Sequence, residues 1–235
     1  MKINEFVDAL KQINIQVTDK QLELLDKYAS FLIEYNNHTN LTAIKDIEGI
    51  YLKHFYDSIL VSKYFNFSNV HNLIDIGTGA GFPGVVLKIF YPNIDVTLLD
   101  SNNKKTKFLN ELIERLQLKN ITVINDRSEN YVKNNRHKFD LVIARAVSEL
   151  RIICELCLPL TRINGHFIAM KANYQNEMSS INNLTKILNS EIENIYETKL
   201  PFENSLRSFI IFKVNKEIDI KYPRMYDQII KKELK

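Results

Sequence analysis

The sequence predicts an α/β fold: a doubly wound, largely parallel sheet preceded by a helical extension. Three observations carry this. From residue 70 to about 171, short apolar runs alternate with stretches of helical periodicity, the βαβ pattern of a sheet with helical crossovers. Up to residue 66, apolar residues recur at helical spacing. Between the two regions one apolar run empties into a glycine hinge and a helix start, Leu73-Ile74-Asp75-Ile76-Gly77-Thr78-Gly79-Ala80-Gly81-Phe82-Pro83-Gly84. We therefore expect residues 1–66 to form the extension and residues 67–235 the main domain.

The elements follow in order. Phe6, Val7, Leu10 and Ile13 mark the face of a first helix. Thr18 with Gln21 forms a capping box that opens a second, whose face is Leu22, Leu25, Tyr28, Ala29 and Leu32. Asp46 caps a third, running to about Tyr64 and carrying Lys53, His54 and Asp57. Strands are expected at 72–76, 94–99, 121–124, 140–144 and 166–170, with helices at Pro83–Phe90, Lys104–Leu116 and Ser148–Leu158. Crossovers should be right-handed, with any ligand at the C-terminal edge of the strands. A further helix is expected over 175–190. Ile192–Leu200 and Leu206–Val214 read as an antiparallel pair around Pro201-Phe202.

Composition bounds the function. A chain of 235 residues, 45% apolar and 25% charged, is an ordinary globular protein that can bury a core without disulfides or metal. A net charge of +3 permits nucleic-acid binding without arguing for it. No stretch approaches the ~18 apolar residues of a membrane span. The N-terminus lacks a signal peptide's apolar region, so a cytoplasmic protein is expected. Cys154 and Cys157 form a C-x-x-C, but they share a helical stripe with Leu150, Ile153 and Leu158, and no second pair exists to complete a zinc site. They read as core residues, and no metal is expected.

Three of the six glycines fall between residues 77 and 81. Glycine lets a ligand approach the main chain, and Pro83 suits a first helical turn. The loop is thus expected to present free N–H groups to a ligand. Gly79 to Gly84 matches G-x-G-x-x-G, which alone fits a dinucleotide site or a turn with no ligand. Two acids narrow it. Asp75, two residues before Gly77, would repel a pyrophosphate and welcome an ammonium. Asp100, closing Val96-Thr97-Leu98-Leu99, can accept hydrogen bonds from both ribose hydroxyls. An amino acid joined to a nucleoside without phosphates satisfies both, which describes S-adenosylmethionine. Candidate cofactor residues are Asp75, Gly77, Gly79, Gly81 and Asp100. Phe82 packs either on the cofactor or in the core.

The string Asp75-Ile76-Gly77-Thr78-Gly79-Ala80-Gly81-Phe82-Pro83-Gly84, followed by Leu98-Leu99-Asp100-Ser101 with Lys104 and Lys105, resembles the ribosomal RNA small-subunit methyltransferase G family. Asn40-Leu41-Thr42-Ala43, His54-Phe55-Tyr56-Asp57-Ser58, Ile143-Ala144-Arg145-Ala146 and Met170-Lys171 extend the resemblance over roughly residues 20–215. It implies a Rossmann-like class I methyltransferase with seven strands in the order 3-2-1-4-5-7-6, the last antiparallel. It implies S-adenosylmethionine as cofactor, and methyl transfer to N7 of a guanine in 16S rRNA, free or in the small ribosomal subunit. It also adds Ser101, Ser128, Glu129 and Arg145 to the cofactor residues. Ser128 otherwise reads as a helix cap, and Arg145 as a partner for an RNA phosphate or for Asp75.

No catalytic base is expected, because guanine N7 offers a bare lone pair to an already activated methyl group. Ala144-Arg145-Ala146 stands where exocyclic-amine methylation would need Asn/Asp-Pro-Pro-aromatic. Lys53, His54, Lys171 and Arg207 are candidates for RNA contact, since basic side chains neutralise phosphates. The tail departs from the family: Met225-Tyr226-Asp227-Gln228 follows Tyr222-Pro223-Arg224 where lysine and glycine are expected, so only Arg224 is kept there. A monomer is expected. The alternatives are a methyltransferase acting on a protein or small molecule, a nicotinamide dehydrogenase, which Asp75 argues against, and an RNA-binding module without activity.

Overall fold

Helices precede the first strand, as the periodicity requires. In the computed structural model, which describes residues 1–234, α1 spans Ile3–Gln12 and α2 Asp19–Thr39. The capping box of α2 is present: Gln21 N–H donates to Thr18 Oγ1 at 3.3 Å and Thr18 N–H to Gln21 Oε1 at 2.9 Å. The third helical run is not one regular helix. Asp46 caps α3 (Ile47–Ile50), a π turn follows at Tyr51–Tyr56, then α4 (Asp57–Ile59) and a 3₁₀ turn to Lys63. A π turn inserts a residue into the helical ladder, a local widening often found at functional sites. Here it carries Lys53 and His54 just ahead of Asp57.

Seven strands form one sheet: β1 Asn72–Ile76, β2 Asp95–Asp100, β3 Ile121–Asn125, β4 Phe139–Arg145, β5 Thr161–Lys171, β6 Ser190–Lys199 and β7 Leu206–Val214. Their order is β3-β2-β1-β4-β5-β7-β6. β1 to β5 are parallel, and β7 runs antiparallel between β5 and β6. The crossovers are α5 (Gly84–Phe90), α6 (Asn103–Leu116), α7 (Ser128–Tyr131) and α8 (Leu150–Cys157). Two expected elements differ. Pro83 is the cap of α5 and not its first residue. The helix over 175–190 is a 3₁₀ turn at Gln175–Ser180 and a short α9 at Asn182–Ile187, because β6 already begins at Ser190. α10 (Tyr226–Lys231) closes the described chain. Among the described residues no helix is long and apolar enough to cross a membrane.

Successive strand residues face opposite sides of the sheet. Leu73 belongs to a core shared with Phe6, Leu25, Tyr28, Phe55, Val85 and Phe108, so the N-terminal helices, α5 and α6 cover one face. Ile74 and Ile76 belong to the other core, with Leu150, Cys154, Cys157, Phe212 and Ile229, covered by α8 and the tail. Both cysteines are free and buried, as their stripe indicates. Arg224 is tied into the fold: its backbone N–H, Nε and Nη2 all donate to the buried Glu155 carboxylate, at 3.0, 2.8 and 2.7 Å.

Gly81 is a packing glycine. Its φ is +99°, and an added Cβ would lie 2.6 Å from both Tyr28 Oη and Val85 Cγ2. Left-handed strain and overpacking add, so Gly81→Ala is expected to destabilise the fold by about 2–4 kcal/mol. A urea titration reads this as a lower midpoint at unchanged slope.

Candidate active site

The chain turns sharply where β1 ends. Gly77 and Thr78 N–H both donate to Leu99 O, at 2.8 and 3.2 Å. Gly79 N–H donates to Asp100 Oδ2 at 2.9 Å, and Asn102 N–H to Asp100 Oδ1 at 2.9 Å. Gly81 and Phe82 N–H both donate to Thr78 O. Five amides expected to be free are therefore engaged, those of Gly77, Thr78 and Gly79 by the end of β2 and those of Gly81 and Phe82 by Thr78 O.

Asp75 lies beneath this loop. Its parity along β1 sends it to the side of Leu73, where α5 begins. Its Oδ2 accepts from Thr78 Oγ1 at 2.7 Å and from Gly84 N–H at 2.8 Å, while Oδ1 is buried without a partner. Burial pushes its pKa up to about 6, against the lowering effect of those two bonds and of Arg145. The motif's glycines also divide. An added Cβ at Gly77 would meet Val147 Cγ2 at 2.9 Å, but at Gly79 nothing lies nearer than Gly77 O at 3.9 Å. Of these two glycines, Gly79 is the one whose main chain faces open space.

Two cavities flank Gly77 at the C-terminal edge of the sheet. One, of about 370 Å³, is lined by Asp100, Ser101, Ser128 and Glu129. The other, of about 440 Å³, is lined by Gly79, Phe82 and Arg145 and by all four RNA candidates, Lys53, His54, Lys171 and Arg207. Gly77 and Ala146 line both. Asp75 and Gly81 line neither; the loop stands between them and the space above.

The second cavity is basic and tightly ordered. Arg145 Nη1 donates to Asp57 Oδ2 at 3.0 Å and to Lys53 O at 3.1 Å; Arg207 Nε donates to Asp57 Oδ1 at 2.7 Å. The protein partner of Arg145 is thus Asp57 and not Asp75. His54 rests on the Phe82 ring (centroids 4.3 Å apart, 12° between planes), and Tyr28 stacks on the same ring at 5.2 Å. Arg145 Nη2 lies 3.4 Å from His54 Nδ1, and Thr42 Oγ1 lies 2.9 Å from Nε2. A guanidinium only donates, so Nδ1 accepts and the proton of a neutral ring sits on Nε2. Burial, then the Arg145 charge, push the His54 pKa down to about 3. Lys171 Nζ donates to Ser148 O and Glu177 Oε2, and Lys53 Nζ pairs with Glu203 at 2.7 Å.

In the first cavity Ser128 does not cap α7, since its hydroxyl donates to Leu156 O at 3.0 Å. Arg127 Nε donates to Glu129 Oε1 at 2.7 Å. The two cavities thus meet at Gly77 and Ala146, with the Asp100 carboxylate in the first and the open Gly79 in the second. A family model described as rRNA small subunit methyltransferase G matches residues 21–206. The chain belongs to that family.

Its relatives match along nearly their whole length. Ribosomal RNA small subunit methyltransferase G of Lysinibacillus sphaericus is 42% identical over 227 residues, 95% of either chain. The Bacillus subtilis protein of the same name matches to the same extent. Solved structures share the fold at low identity. M. jannaschii TYW2 in complex with AdoMet superposes with a TM-score of 0.52 at 14% identity, over 66% of this chain and 74% of that one. A ribosomal protein L11 methylase from Lactobacillus delbrueckii has a TM-score of 0.52 at 14% identity, over 70% and 79%. As a member of the family this chain is an S-adenosylmethionine-dependent methyltransferase. Sequence reasoning missed Asp57 as the centre of the basic cavity. The available signal was a single acid inside the aromatic run Tyr51–Tyr56 and its continuation.

Proposed function

We propose that the protein transfers a methyl group from S-adenosylmethionine to N7 of a guanine in 16S rRNA. Family membership supports rRNA of the small subunit as the substrate class. The position on the base is our reading, and one observation carries it: the basic cavity holds no side chain free to remove a proton. His54 has both ring nitrogens engaged, and Asp57 is held between two guanidiniums. N7 needs no proton removed; exocyclic amines and hydroxyls usually do.

S-adenosylmethionine supplies the methyl group on a sulfonium centre. The chain supplies position and field. In this reading Asp100 accepts from the ribose, Ser128 and Glu129 border the adenine, and Gly79 gives room beside the main chain. Asp75 acts through the loop, holding Thr78 and Gly84. Lys53, Arg145, Lys171 and Arg207 draw the acceptor RNA into the second cavity: the two arginines share the one carboxylate of Asp57, while the lysines are paired with Glu203 and Glu177 outside the lining. Two guanidiniums on one carboxylate favour an anionic acceptor such as RNA over a small neutral one. The same reading has the protein act in the cytoplasm, as a monomer and without metal.

Deleting the gene should remove one 7-methylguanosine from 16S rRNA, mapped by chemical cleavage at the cationic base. Retention of every such cleavage site would refute the assignment. Purified 16S rRNA and purified small subunits, offered separately, decide which form is methylated.

A further inference from the structure

The tail that departs from the family pattern reaches the cofactor side of the molecule. Two arginines from outside the tail and one of its own hold it. Arg136 donates to Ile218 O, Asp219 O and Tyr222 O, Arg151 donates to Ile229 O, and Arg224 of the tail is clamped by buried Glu155. Tyr222 and Ile229 are buried in the second core. Between these anchors Tyr226 stays partly exposed, because its ring lines the same cavity as Asp100, Ser128 and Glu129. The Arg127 guanidinium lies over that ring, 4.7 Å from its centroid, and is itself held by Glu129.

A docked aromatic ring, backed by an immobilised guanidinium, is a flat π surface at the wall of a cavity. Such surfaces bind the faces of bases. We propose that Tyr226 stacks on the adenine of the bound cofactor, so that the C-terminal tail forms part of the cofactor site. This rests on the reading of that cavity as the nucleoside site.

The chain contains no tryptophan, so Tyr226→Trp introduces a single indole at the position in question, excited at wavelengths where tyrosine does not absorb. Titration of that variant with S-adenosylhomocysteine, and separately with adenosine, should quench its emission in step with binding heat measured by calorimetry. Tyr226→Ala should weaken S-adenosylhomocysteine binding about five- to a hundredfold, the range of a lost base–aromatic stack, while Tyr226→Phe binds like the wild type. Binding heat from the Tyr226→Trp variant with unchanged emission, or unaltered affinity of Tyr226→Ala, overturns the stacking role alone. Absence of heat with the wild-type chain overturns the nucleoside reading and this inference with it.

Discussion

Replacing Gly79 with arginine is expected to abolish binding of S-adenosylmethionine while the chain stays folded. Gly79 has φ +62° and open space where a side chain would start. The strain of a left-handed non-glycine residue is about 1–2 kcal/mol, which a single domain with two extensive cores tolerates. The arginine side chain then enters the second cavity, which Gly79 lines. Calorimetry should show no binding heat in a variant whose thermal transition remains cooperative. Undiminished affinity in that folded variant would remove Gly79, and the loop with it, from the cofactor site. Gly81→Ala provides the contrast, since it should injure stability before it touches binding.

Asp57→Ala is expected to cost both stability and activity. The Asp57 side chain is 6% exposed and answers two guanidiniums, whose own side chains are 14% and 20% exposed. Removing the anion leaves two partly buried cations facing each other across its place. The loss should be about 2–4 kcal/mol, somewhat below that for a fully buried pair because both arginines reach some water. Arg145 would also release His54 and the Lys53 carbonyl, so methyl transfer should fall further than cofactor affinity does. Denaturant midpoints and single-turnover rates measure the two separately. A variant with wild-type stability would mean that water already compensates the arginines.

Most of the sheet was legible because a buried parallel strand is a short apolar run between breakers. Asn72–Ile76 and Leu206–Val214 begin and end where that pattern begins and ends. β5 begins five residues earlier than its apolar run, at Thr161, since Thr161-Arg162-Ile163-Asn164-Gly165 has no alternation to betray it. Site residues were legible where position along a strand decides them: Asp100 and Arg145 stand at strand ends, and both line cavities there. Asp75 also sits near a strand end, but the loop folds back over it. Only the bonds from Thr78 and Gly84 reveal which way it faces. Asp57 was obscure for a different reason. Its partners lie on β4 and β7, and no local pattern encodes a meeting of three distant segments.

That meeting has a consequence for the order in which the protein is made. Asp57 stands 88 residues from Arg145 and 150 from Arg207 along the chain. Synthesis delivers the N-terminal segments first. β7, which brings Arg207, must insert between β5 and β6 to reach its place. A nascent chain emerging from a ribosome therefore carries the π turn and the glycine loop well before it has a basic cavity. It cannot assemble that cavity until nearly all of it has been translated, so the site is completed among the last parts of the fold.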